Sequence, residues 1–157
     1  MQNVTPSLGR RHRRPRSLEA SVNVLRQEGE YWRAHYAGTQ VRLKDSKGLH
    51  YVAYLLRHPG RQFHACELMA VAPGPDGERA QFDMQYPKAA VAERARLAVT
   101  KRIKALVMKL ETCHPALAYY LRTTIKTGYY CTYLPDPHRP VSWELKAQPS
   151  RAGVLGY

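Results

Sequence analysis

The sequence predicts an α+β domain, and three kinds of stretch support that prediction. Residues 30–43, "EYWRAHYAGTQVRL", alternate aromatic and β-branched side chains with polar ones around an AGTQ turn, the pattern of a β-hairpin. Residues 45–61 and 91–110 instead repeat apolar side chains at the i, i+3, i+4, i+7 spacing of an amphipathic helix. Residues 121–133 return to β-branched and aromatic character on either side of Gly128 and predict a second hairpin. With 157 residues there is chain enough for one domain with its own core, without staples of disulfide or metal.

The elements follow in order. Residues 1–22 are polar, basic and without apolar periodicity, which predicts a disordered tail. A domain spans 23–145, and 146–157 reads as a loose C-terminal tail. After the first hairpin, Asp45 or Ser46 is the N-cap of a helix whose Leu49, Val52, Ala53 and Leu56 share one face. Pro59-Gly60 stops it. Phe63 enters the core ahead of a short helix in "FHACELMA". Residues 71–90 hold three prolines and two glycines and read as a long loop. The strongest helix follows, with Val99, Ile103, Leu106, Val107 and Leu110 as its apolar stripe. Opposite that stripe lie Arg94, Leu97, Ala98, Lys101, Lys104, Ala105 and Met108, a basic face without an acid. Pro115 opens a short helix, "PALAYYL". In the second hairpin, alternation sends Leu121, Thr123 and Ile125 to one side and Arg122, Thr124 and Lys126 to the other. "PVSWEL" around Trp143 offers one last strand.

Charge is the first pointer to function. The formal net charge is +13, from 25 Lys and Arg against 12 Asp and Glu. Five arginines fall in "RRHRRPR" at 10–16, and without them 20 basic residues still face 12 acidic ones. Lys88 to Lys126 holds nine basic residues and only Glu93 and Glu111 as acids. Such a surplus favours polyanionic partners, because each neutralised phosphate releases condensed counterions. The arginine-rich start is either a solvated tail or a nucleic-acid arm using Arg11, Arg13 and Arg14.

Chemistry is excluded more readily than binding. Cys66, Cys113 and Cys131 form no C-x-x-C pair, the seven histidines match no zinc spacing, and neither metal nor cofactor is expected. There is no G-x-G-x-x-G, P-loop, H-E-x-x-H or G-x-S-x-G motif, so an enzyme is not expected. Glu93 and Glu111, eighteen residues apart on one helix, stand about 27 Å apart, too far to act as a carboxylate pair. No run has the length of a membrane span and the start lacks an apolar leader, which predicts a cytoplasmic, nucleoid-associated protein.

A helix–turn–helix followed by a β-hairpin is the layout of a winged helix, here with a three-helix core, an N-terminal hairpin and a C-terminal wing. The segment "LHYVAYLLRHPGRQFHACEL" at 49–68 resembles the run of a leucine-rich helix, HPG, Val or Phe, and x-x-x-x-L in winged-helix output domains of OmpR/PhoB-type response regulators. "LRTTIKTGY" resembles their wing, with matches at Leu121, Arg122, Thr123, Gly128 and Tyr129. The resemblance runs from about Gly29 to Pro135, with no receiver domain ahead of it and a longer loop at 71–90. It implies a double-stranded DNA-binding transcriptional regulator with a recognition helix at about 91–110 in the major groove and a wing at about 121–133. Position by position, it places Arg94, Thr100, Lys101 and Lys104 on or beside the groove, and Arg122 and Lys126 on the wing. Arg96, at the edge of the apolar stripe, is either a DNA contact or half of a structural ion pair. Lys126 stands where the family has glycine, as a turn residue or as a charge at the tip. Loop 71–90 falls where the family meets RNA polymerase. The alternative is a winged helix used for protein contact, and RNA is a variant of the nucleic-acid reading. Oligomeric state stays open, a dimer on DNA included.

Overall fold

The computed structural model describes residues 22–83 and 88–145, and the expectations for the two tails, with Arg11, Arg13 and Arg14, lie outside them. The described residues form an α+β fold of five helices and seven strands in two sheets. The first sheet begins earlier than the predicted hairpin. Strands β1 (Asn23–Glu28), β2 (Tyr31–Tyr36) and β3 (Thr39–Lys44) form an antiparallel meander. The AGTQ turn is real: Ala37 and Gly38 both take positive φ, at 51° and 84°, as a two-residue hairpin loop between Tyr36 and Thr39 requires. Strand β7 (Trp143–Glu144) adds in parallel beside β1, so the "PVSWEL" strand is present.

One face of that sheet sends Leu25, Trp32, Ala34 and Leu43 inward. Helix α1 (Lys47–Arg57) packs beneath, burying the predicted Leu49, Val52, Ala53 and Leu56 and also Tyr51 and Leu55. Asp45 fastens the junction, since its Oδ1 accepts from Trp32 Nε1 at 2.8 Å and contacts His50 Nε2 at 2.9 Å. Strand β4 (Gln62–His64) delivers Phe63 to the core and leads into α2 (Ala65–Met69). His64 Nδ1 accepts from the Cys66 amide while Glu67 accepts from the His64 amide, a reciprocal cap that starts a helix of only five residues.

The stretch 71–90 is not one loop. It contains α3 (Pro75–Asp83), whose Asp76 accepts from Lys47 Nζ at 2.5 Å and from Arg102 at 3.2 Å. Helix α4 (Ala89–Cys113) is the 25-residue spine, with the predicted Val99, Ile103, Leu106, Val107 and Leu110 buried and Ala95 buried beside them. At its end His114 is buried. Its Nδ1 accepts from the Leu117 amide, leaving Nε2 to donate towards the carbonyls of Tyr36 at 3.2 Å and Thr39 at 3.0 Å. One histidine thus caps α5 (Pro115–Thr124) and pins it to the β2–β3 turn.

Helix α5 runs three residues beyond "PALAYYL", which corrects the predicted second hairpin. Leu121, Arg122, Thr123 and Thr124 are helical, so Thr123 is exposed and Thr124 buried, the reverse of the strand alternation. Leu117, Ala118 and Leu121 continue an apolar helical face, and the hydroxyls of Thr123 and Thr124 bond back to the Tyr119 and Tyr120 carbonyls. Only β5 (Ile125–Lys126) and β6 (Tyr130–Tyr133) form the hairpin, and β4 joins it on the other edge in the order β4-β6-β5. The three-helix core of the sequence reading, α1, α2 and α4, therefore carries two additional helices, α3 and α5. No helix among the described residues is long and apolar enough to cross a membrane.

Candidate nucleic-acid interface

The candidate surface starts from the periodicity of α4. Burying Val99, Ile103 and Leu110 turns Leu97, Lys101, Lys104 and Met108 directly outward, one or two turns apart along a single stripe. Leu97 is 52% and Met108 66% exposed, with the two lysines between them. Arg94 and Ala105 flank the stripe on the side facing α1 and α3. On the other flank Glu93, Arg96 and Glu111 face the hairpin and α5.

Acids and bases on this surface are sorted. Glu93 pairs with Arg96 through both carboxylate oxygens, at 3.2 and 2.5 Å. Glu111 pairs with Arg122 at 2.7 Å, joining α4 to α5. Arg102 is taken inward by Tyr51 Oη at 3.0 Å and by Asp76. The other six basic residues between Lys88 and Lys126 have no carboxylate partner among the described residues. Both acids of the segment are thus occupied by arginines, and Lys101 and Lys104 face solvent unopposed.

The predicted site residues fare differently. Arg94, Lys101 and Lys104 are exposed on α4, as expected. Thr100 is half-buried, and its hydroxyl is enclosed with no partner among the described residues, so it is not offered to a ligand. Arg96 is half-buried and ion-paired with Glu93. Arg122 is on α5 rather than on the hairpin, ion-paired and lying 5.6 Å from the Tyr119 ring centre. Lys126 is neither a turn residue nor at the tip. It is the exposed end of β5, paired in register with Thr132, one residue before the loop Thr127–Tyr129.

A contact that the sequence did not reveal joins hairpin to helix. The Tyr129 hydroxyl donates to Glu93 Oε1, and the Arg96 guanidinium sits 5.3 Å from the Tyr129 ring centre. The loop of the hairpin is thereby held against the N-terminal half of α4. The Arg96 and Tyr129 hydrogen bonds push the Glu93 carboxyl down to about 2 from an ordinary value of 4.5. A carboxyl depressed on folding stabilises above its unfolded value and loses that contribution as pH falls through its folded one. The clasp should therefore persist on acidification from pH 7 past 4.5 and release only towards pH 2. Tyr129 ring resonances followed by NMR should shift with that low midpoint in the native chain and not in Glu93→Gln. A midpoint near 4.5 would mean that Glu93 is not engaged.

The chain matches no protein-family model, no curated protein and no solved structure.

Proposed function

We propose that this protein binds double-stranded DNA as a variant winged helix and acts in transcriptional regulation, with α4 in the major groove and the β5–β6 hairpin on the adjacent backbone or minor groove. The observation that carries the reading is the outer stripe of α4, where Lys101 and Lys104 stand exposed and unopposed while Glu93 and Glu111 are each held by an arginine. The lysines suit phosphates, which position a protein without reading sequence. Arg94, near the N-terminal end, has the fork to grip guanine O6 and N7. In the usual winged helix the wing follows closely on the recognition helix. Here α5 intervenes, and the Tyr129–Glu93–Arg96 clasp supplies in space the continuity that the chain lacks.

One observation favours a second reading, contact with an acidic protein. Leu97 and Met108 are large apolar groups left exposed at both ends of the lysine pair. Self-association through this stripe is disfavoured, because its heptad-like positions would bring Lys101 and Lys104 of both copies into the seam. Salt separates the readings. With about six phosphate contacts, duplex DNA titrated between low and moderate salt should give a log–log slope near −5. No binding at low salt, or a flat response, would remove the DNA reading and leave the protein-contact one.

A further inference from the structure

The segment that lengthens the chain between α2 and α4 builds a roof. Helix α3 closes tightly on what precedes it: a Cβ on Gly77 would lie 2.1 Å from the Ala72 carbonyl oxygen, and Gln81 Nε2 donates to the Ala70 carbonyl at 3.2 Å. On the other side Asp76 ties α3 to Lys47 of α1 and Arg102 of α4. Between α2, α3 and α4 this leaves a cavity of about 320 Å³. Its walls are Met69, Ala80, Val91, Ala95 and Ala98, and small side chains on the facing helices α3 and α4 are what make the room. The guanidinium groups of Arg94 and Arg102 line it, and Asp76 is the one carboxylate among its described lining residues.

We propose that this cavity is a binding site for a small organic carboxylate, its apolar body against Met69, Ala95 and Ala98 and its carboxylate met by Arg94 and Arg102. The volume falls in the lower part of the range of small-molecule sites, roughly 300–1,000 Å³. The charge is unbalanced in the required direction: Asp76 is already shared by Lys47 and Arg102, and Arg94 has no ion pair among the described residues. Guanidinium matches a carboxylate with two parallel hydrogen bonds, and an apolar wall beside it selects an anion carrying hydrocarbon over a bare one. The position implies a consequence. Arg94 belongs both to the cavity and to the edge of the α4 stripe, so a ligand that engages Arg94 withdraws it from DNA. That coupling rests on the DNA-binding reading; occupancy of the cavity does not.

Titration calorimetry on the full chain with benzoate as the probe tests this, with inorganic phosphate in parallel. Benzoate should bind saturably at one site per chain and at least tenfold more tightly than phosphate. Ala98→Leu, which fills the cavity and leaves every arginine in place, and Arg94→Gln, which removes the charge, should each weaken it at least tenfold. Melting curves confirm that both variants fold, and Arg94→Gln alone decides the matter if the larger side chain does not. The proposal is overturned by the absence of saturable benzoate binding, by phosphate binding as tightly, or by native affinity in Ala98→Leu, which would reduce the site to surface charge. Saturating benzoate should also weaken duplex binding several-fold. Benzoate binding without that effect overturns the coupling alone, and failure of the chain to bind DNA at all overturns the DNA reading while leaving the benzoate isotherm to be judged separately.

Discussion

Gly48→Ala is expected to destabilise the domain by about 3 kcal/mol, at the upper end of what overpacking usually costs. The position is in the first turn of α1, and there the chain runs against the backbone of α4. A Cβ on Gly48 would stand 2.7 Å from the Arg102 carbonyl oxygen and 3.4 Å from Leu106 Cβ. The first of these contacts is with mid-helix backbone, which cannot rotate out of the way as a side chain could. The two helices would have to move apart, and with them the packing of Leu49, Val52, Ile103 and Leu106. The sign of the effect is diagnostic. Helix propensity alone favours alanine over glycine by about 1 kcal/mol, so without the close crossing the variant would be more stable. Urea or thermal denaturation distinguishes the outcomes, since a loss of this size lowers the midpoint by about 10 °C in a domain of this length. A stabilised variant would show that α1 and α4 do not cross as described.

How much of this was legible beforehand follows from how local each signal is. The spine α4 was readable because its stripe spans several turns and no alternative period fits. Helix α1 was readable for the same reason, with Pro59-Gly60 marking its end. Helix α3 was not, because most of its nine residues are polar, it starts on the last residue of a Pro-Gly-Pro run, and it owes its place to Asp76 reaching Lys47 and Arg102, partners 29 and 26 residues away. The opening of the second hairpin misled for a physical reason. Thr123 and Thr124 are β-branched and suggest a strand, but the helical face of Leu117, Ala118 and Leu121 outweighs that preference up to Thr124, and only from Ile125 does the chain turn to strand. At the candidate site the Glu93–Arg96 spacing of three residues was visible as a possible helix pair. That Tyr129 completes it, 36 residues on, was not. Lys101 and Lys104 were found because solvent exposure on a helix follows directly from its period.

The second large effect concerns those two lysines. The double variant Lys101→Ala, Lys104→Ala should lose about 10- to 60-fold in affinity for duplex DNA near 0.1 M salt, while its melting curve stays nearly unchanged. The upper figure follows from counterion release, with each lost phosphate contact weakening binding about eightfold at that salt and two contacts multiplying. Counterion release also sets a second observable. The log–log salt slope should fall in magnitude by about 1.8, and by about half of that in either single variant. Stability is spared because both side chains are exposed and neither has an ion-pair partner among the described residues, while alanine is a better helix former than lysine. Arg96→Ala makes the contrast. Its guanidinium holds Glu93 and lies over Tyr129, so its loss should loosen the hairpin and weaken binding to many sequences while changing the slope little. If the double lysine variant binds like the native chain with an unaltered slope, the outer stripe of α4 is not the phosphate-facing surface. The exposed Leu97 and Met108 would then mark a protein-binding face instead.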